Sequence, residues 1–317
     1  MIFIKNNGYI DIICNKSTIS HFTAEKVGAV TVAFPPPREQ VAIAAFLDCE
    51  TARIDALIEE QQRLIELLKE KRQAVISHAV TKGLDPTAPM KDSGIEWLGE
   101  VPAHWSVCRL KHLGDFAAGA GFPHEDQGVE GEELSFHKVN ALGQADSEGY
   151  LLPSENTVSI DTARRLRAFV FPPNSIVFAK IGAAMLLGRF RMLRHSSCLD
   201  NNMMGFVTDP QNDAGFVLKL MSQVQFDLIA NPGTVPSLNE GQIANVVVAV
   251  PERLEQMEIA KYLVAFSGKL ARLEAEAEAA ITLLQERRSA LISAAVTGKI
   301  DVRGVGELTP KPEPEPA

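Results

Sequence analysis

The sequence predicts a mixed α+β chain, with one β-rich α/β domain plus two long helices packed as an antiparallel coiled coil. Three observations predict it. The stretch AVISHAVTKGLD at 74–85 is echoed by ALISAAVTGKID at 290–301. Each echo closes a long run of apolar residues at helical spacing. Between the two runs, short apolar stretches alternate with turn residues.

The echo belongs to a longer duplication. At a constant offset of 216 positions, Gln40 meets Gln256, Ile43 meets Ile259, Leu47 meets Leu263, Leu57 meets Leu273 and Arg72 meets Arg288. The match also runs backwards, through Pro35 and Pro251, Thr18 and Thr234, to Asp11 and Asp227. Residues 1–85 therefore resemble residues 217–301 without a gap. Two copies are too few for a solenoid and read as a pseudo-two-fold arrangement.

Each copy carries a long helix, at 36–85 and 251–301. In the first, Ile43, Leu47, Ile54, Leu57, Leu64 and Leu68 fall on steps of three and four or their sum. In the second, Leu263, Leu270, Leu273, Leu284 and Leu291 hold a matching seam. A period near 3.5 residues is the mark of helix lying along helix. Prolines bound each start (Pro35, Pro36, Pro37; Pro251), and Gly83 and Gly298 mark the ends. Each helix spans roughly 65 Å at ~1.5 Å per residue. Burial of each seam residue contributes roughly 1.5–3 kcal/mol, so a charge at Leu57 or Leu273 is expected to split the pair.

Residues 86–106 are punctuated by Pro and Gly and read as a linker, with Trp97 and Trp105 expected to cover the edge of the next domain. Residues 107–250 form that domain. Strand-like runs stand at 175–182, 203–208 and 245–251, with one helical piece at 215–230. The tail at 302–317, acidic and Pro-rich, reads as disordered.

The net charge of −9 by itself argues mildly against nucleic-acid binding. Its distribution argues the other way. Residues 162–199 hold no Asp or Glu but seven cations: Arg164, Arg165, Arg167, Lys180, Arg189, Arg191 and Arg194. Such a run is expected to form a positive patch suited to phosphate neutralisation. Arg suits bidentate reading of guanine, and Asn201 and Asn202 suit adenine.

Other chemistries find no motif. There is no phosphate-binding GxxxxGK[ST] loop, no GxGxxG and no GxSxG elbow. The four cysteines and seven histidines are scattered, with no metal-ligand spacing. No apolar run long enough to cross a membrane and no secretory signal stands in the sequence, and a reducing, cytoplasmic setting is expected. No catalytic residue, cofactor or metal is expected in this chain. The function classes left are DNA recognition and a coiled-coil scaffold or adaptor whose middle domain binds protein, with an independent nuclease disfavoured by the missing motifs.

The helix opening PREQVAIAAFL, its continuation IDALIEEQQRLIELLKEKRQAVISHAVTKGLD, the linker SGIEWLGEVPAHW, and SIVFAKIGAAMLLGRF followed by CLDNNM resemble the specificity (S) subunit of type I DNA restriction–modification systems. The resemblance covers nearly the whole chain except the tail. It implies a target-recognition domain at 107–250 and paired helices that act as a spacer. It also implies a non-catalytic subunit that directs methyltransferase (M) and restriction (R) subunits to double-stranded DNA, with S-adenosylmethionine, ATP and Mg held by those partners. A ~65 Å spacer matches about two turns of B-DNA at ~34 Å each. Such subunits usually hold two recognition domains. Here residues 1–35 match only the end of one, so they are expected to be the remnant of a first recognition domain. A lone copy is then expected to read one half-site, and a homodimer through the long helices to read a palindrome.

Overall fold

The computed structural model describes residue 28 and residues 34–302, without Ser147 and Pro232. The expected remnant at 1–35 and the tail at 302–317 lie almost wholly outside the described residues. The elements run α1 (Pro37–Lys82), β1 (Met90–Asp92), β2 (Glu100–Pro102), β3 (Ser106–Arg109), β4 (Gly114–Ala118), β5 (Leu134–His137), β6 (Thr157–Val158), α2 (Ile160–Arg165), β7 (Ile176–Ala179), α3 (Gly182–Leu186), β8 (Arg191–Met192), β9 (Ser197–Leu199), β10 (Met203–Thr208), α4 (Ala214–Met221), α5 (Phe226–Ile229), α6 (Glu240–Ala244), β11 (Val247–Val250) and α7 (Arg253–Val296). Among the described residues, no helix is long and apolar enough to cross a membrane.

The two long helices start and stop for local reasons. Pro37 opens α1, where its missing N–H is no loss. Glu39 lies in the first turn and Lys82 in the last, each complementing the helix dipole. Gly83 follows at φ 76, a left-handed conformation that ends the helix, and Gly298 at φ 70 follows α7. Contacts divide the described residues into 34–68 with 272–302, and 69–271. Each long helix passes from one unit into the other.

In the first unit, Arg288 on α7 donates from Nε to Asp55 Oδ1 at 2.8 Å and from Nη2 to Oδ2 at 3.1 Å. In the second, a Cβ on Gly83 would lie 3.5 Å from Glu255 Oε1. The end of α1 thus lies by the start of α7 and its middle by α7's later half, so the helices run antiparallel.

The seam differs from the expected one. Ile54, Ile65 and Leu68 are buried on α1, and Ala277 on α7. Leu57, Leu64 and Leu273 are 44%, 41% and 46% exposed, so they flank the seam rather than form it. The layers between are filled by half-buried Ile58 and Gln61 on α1 and Glu274, Ile281, Leu284 and Arg288 on α7. Polar and small residues occupy positions that a search for large apolar side chains passes over. Ile43, Leu47 and Leu291 are half-buried, and Leu270 is buried. Leu263 is fully buried, but within the core of the second unit.

Beside a smaller cluster around Phe136 and Cys198, that core is one large cluster. Trp105, Phe171, Phe178, Phe206 and Phe216 are its fully buried aromatic rings, and Ile76, Ala79 and Val80 of α1 join Ile259 and Leu263 of α7 in it. Trp105 donates its Nε1 to Glu255 at 3.0 Å and meets Phe216 edge-on, whereas Trp97 stays 42% exposed. A four-stranded antiparallel sheet has the order β4-β10-β7-β8, and a three-stranded sheet the order β6-β5-β9, with β5 and β9 parallel. Two strand pairs, β11-β3 and β1-β2, complete the sheets. The helical piece expected at 215–230 is two helices. It breaks after Met221, where Ser222 Oγ bonds back to the Lys219 carbonyl at 2.6 Å and competes with the helix ladder.

Candidate nucleic-acid interface

Five strand ends converge on one side of the 69–271 unit. Pairing of Met203 with Ala179 and of Met204 with Ala118 places the ends of β7 and β4 beside the start of β10. The parallel pair β5-β9 ends there too, at His137 and Leu199. A bridge between Ala120 and Asp200 joins the two sheets, with Ala120 N–H donating to Leu199 O at 2.8 Å. The approach is close enough that a Cβ on Gly119 would lie 2.0 Å from Asp200 O, so only glycine fits.

These ends present Lys180, Asn201 and Asn202 together. Asp200 Oδ1 accepts the Asn202 N–H at 2.7 Å and shapes the turn. Lys180 N–H donates to Asn202 O at 2.9 Å. Asn201 is exposed, and Lys180 and Asn202 are half-buried. Asp200 N–H donates to His137 O at 2.9 Å, which brings in a residue the sequence did not single out. His137 is 3% exposed, its Nδ1 has no partner, and burial pulls its pKa down from 6.5 to about 4. The ring is neutral at pH 7. Beside it, Lys138 bonds Gln127 Oε1 and lies 5.5 Å over the ring of Phe122, which stacks on Phe136 at 3.8 Å.

The expected single cationic patch does not form. The seven cations sit on different elements: Arg164 and Arg165 on α2, Arg191 on β8, and Lys180 and Arg194 toward opposite ends of β7. Arg164 pairs with Asp161 at 3.1 Å and Arg165 with Asp126, both on α2, and Arg167 follows that helix, exposed, at φ 53. Arg194 pairs with Asp146 at 2.5 Å and Glu148 at 3.1 Å and stacks 4.3 Å from the Tyr150 ring. It lies toward the opposite end of β7 from Lys180, since Asn174 N–H bonds Leu193 O just before that strand begins. Arg191, half-buried on β8 opposite Val177, donates to Phe190 O at 2.8 Å, and exposed Arg189 lies against Gly143.

Chemically, the Lys180–Asn202 end offers donors and acceptors at hydrogen-bonding positions on a rigid frame. Asn amides match adenine, and a Lys ammonium matches guanine N7 and O6. Among the described residues, no group of three or more His, Cys, Asp or Glu stands ready to hold a metal.

The comparisons with known proteins agree with one another. A curated relative, the Type I restriction enzyme MjaVIII specificity subunit of Methanocaldococcus jannaschii, is 22% identical over 299 residues, which is 90% of this chain and 66% of that protein. A solved chain from work on complex assembly and conformational transition of the type I R-M system superposes with TM-score 0.71 at 16% identity, covering 93% of this chain and 68% of that one. The HsdS subunit from Thermoanaerobacter tengcongensis gives TM-score 0.55 at 16% identity, covering 94% and 68%. The structural likenesses show the fold alone. The chain spans somewhat less than two thirds of the curated relative. The family model for the type I restriction modification DNA specificity domain matches residues 102–283, more than half of the sequence, and the chain belongs to that family.

Proposed function

We propose that this chain reads a DNA sequence for a type I restriction–modification complex and performs no chemistry itself. Methyltransferase and restriction subunits supply the reactions, with S-adenosylmethionine, ATP and Mg on those subunits. The observation that carries the reading is the convergence of five strand ends that present Lys180, Asn201 and Asn202 on one edge. Side chains held this rigidly suit base edges in a groove, while exposed cations elsewhere suit phosphates. The described residues hold one such domain, which reads one half of a two-part site. A second recognition domain, on a second copy paired through α1 and α7, supplies the other half, and two-fold pairing makes the preferred site a palindrome.

The test is methylation mapping in cells that carry the partner methyltransferase, with and without this chain. Methylated positions that appear only with the chain, and share one sequence, support the reading. An unchanged methylation map with the chain expressed and bound to its partner sinks it. Sedimentation of the chain at micromolar concentration tests the pairing: a monomer that still directs methylation to a two-part site rules out the homodimer.

A further inference from the structure

The loop at 231–238 is tied to the strand end that carries Lys180. Leu238 N–H donates to Lys180 O at 2.9 Å, and Gly182 N–H donates to Pro236 O at 2.8 Å. Ser237 bridges Ile181 on one side and Asn231 on the other. Asn231 N–H donates to Ser237 O at 2.8 Å and closes the neck of the loop. Gln242 Nε2 donates to Asn231 Oδ1 at 3.0 Å and steadies that neck. The tip, Gly233, Thr234 and Val235, is exposed. A Cβ on Gly182 would lie 4.0 Å from Val235 Cγ1, so the tip stands beside the base-reading edge.

The internal duplication singles out one residue of this tip. Residues 229–251 repeat residues 13–35, and the identical positions are Ile229, Asn231, Thr234, Val246, Val248, Ala249 and Pro251. All but Thr234 serve the fold. Val248 and Ala249 are buried in the core, and Ile229 and Val246 pack against it. Asn231 accepts from Gln242, and Pro251 accepts from Gln256. Thr234 is exposed, and no partner holds its hydroxyl among the described residues. A residue kept in both copies without a part in the fold suits what every duplex shares, its phosphates. Base edges change from one half-site to the next.

We propose that Thr234 donates its hydroxyl to a backbone phosphate of duplex DNA, beside the base read at Lys180. The inference rests on the DNA reading above and deepens it. The loop neck is hydrogen-bonded to the strand end of Lys180, so the two contacts keep a fixed spacing. Thr234 then sets the register of the domain on the duplex, and Lys180, Asn201 and Asn202 read bases within that register.

The test uses the full chain bound to its methyltransferase partner, as wild type, Thr234→Val and Thr234→Ser. Binding is measured to a duplex carrying the methylated sequence and to an unrelated duplex, across a salt series. Thr234→Val keeps the shape and removes the donor, and is expected to weaken both duplexes alike by about tenfold. Its salt slope is expected to stay that of the wild type, because a hydroxyl carries no charge. Thr234→Ser is expected to bind as the wild type does. A second measurement replaces single phosphates of the site by uncharged methylphosphonates. One such replacement is expected to weaken the wild type and to have no further effect on Thr234→Val. Wild-type affinity in Thr234→Val, a loss confined to the methylated sequence, an equal loss in Thr234→Ser, or every methylphosphonate penalty kept in Thr234→Val overturns the contact and leaves the DNA reading standing. A wild-type complex that binds the duplex no better than the methyltransferase alone overturns both.

Discussion

Gln256 donates its Nε2 to the carbonyl oxygen of Pro251 at 2.9 Å, and the duplicated pair, Gln40 and Pro35, makes the same bond at 2.8 Å. The duplication read from the sequence is therefore also a duplication of helix-start chemistry. The copies differ in what lies over them. Gln256 is 1% exposed and also donates to Asn212 Oδ1 at 2.9 Å and accepts the Asp213 N–H at 2.8 Å, whereas Gln40 is exposed. Asp213 in turn caps α4, accepting the Phe216 N–H at 2.8 Å. Gln256→Ala strands these buried polar groups and is expected to cost about 1–3 kcal/mol, while Gln40→Ala costs under about 0.5 kcal/mol. Urea unfolding of the two variants checks the contrast, and equal losses would refute the locking role given to Gln256.

The helix seam gives a second contrast. Ile65→Ala opens a cavity in a buried layer and is expected to cost about 2–4 kcal/mol. Leu57→Lys and Leu273→Lys place charge on flanking positions that already see solvent, and are expected to cost under about 1 kcal/mol. Asp55→Ala removes a pair whose side chains are about half exposed, and is expected to cost no more than about 1 kcal/mol. Thermal unfolding ranks the four. A Leu57→Lys loss matching that of Ile65→Ala would restore the seam first expected.

The long helices were legible because their signals are local: apolar residues at short spacing, a proline at the start and a glycine at the end. Their phase was not, because Gln61, Glu274 and Arg288 occupy seam layers while Leu57, Leu64 and Leu273 lie beside them. Strand-like runs at 175–182, 203–208 and 245–251 enclose β7, β10 and β11 for the same local reason. The site was legible only as residue types. Lys180 meets Asn202 because Ala179 pairs with Met203, and His137 arrives through a parallel pairing with a strand about sixty residues away. Nor does the sequence show that Asp126 neutralises Arg165 or that Asp146 neutralises Arg194, since each partner lies outside the acid-free run.

His137 makes stability depend on acidity. Burial lowers its pKa to about 4 from 6.5, so as pH falls the unfolded chain takes up the proton before the folded chain does. The contribution of the neutral ring is complete above pH 6.5 and is lost progressively toward pH 4, with a total on the order of 3 kcal/mol. His137→Phe keeps an apolar ring and removes the proton site. Urea unfolding at pH 7, 5.5 and 4.5 is expected to show a loss in the wild type that exceeds the variant's, and parallel losses would count against a buried neutral ring.

The base-reading edge makes the sharpest demand on the proposed function. The backbone of Asn202 holds the turn through its N–H and its carbonyl, so Asn202→Ala removes the amide side chain and leaves the frame. If that amide reads a base, target preference is expected to relax at a single position by about 1–3 kcal/mol, with affinity for unrelated duplex unchanged. Lys180→Ala is expected to relax a neighbouring position. Arg194→Ala is expected to leave DNA preference alone, because Asp146 and Glu148 already hold that guanidinium at the far end of β7. Competition binding against a library randomised around the methylated site, with the chain in complex with its methyltransferase partner, reads all three. Preference lost in Arg194→Ala and kept in Asn202→Ala and Lys180→Ala would move the reading surface to the opposite end of the sheet.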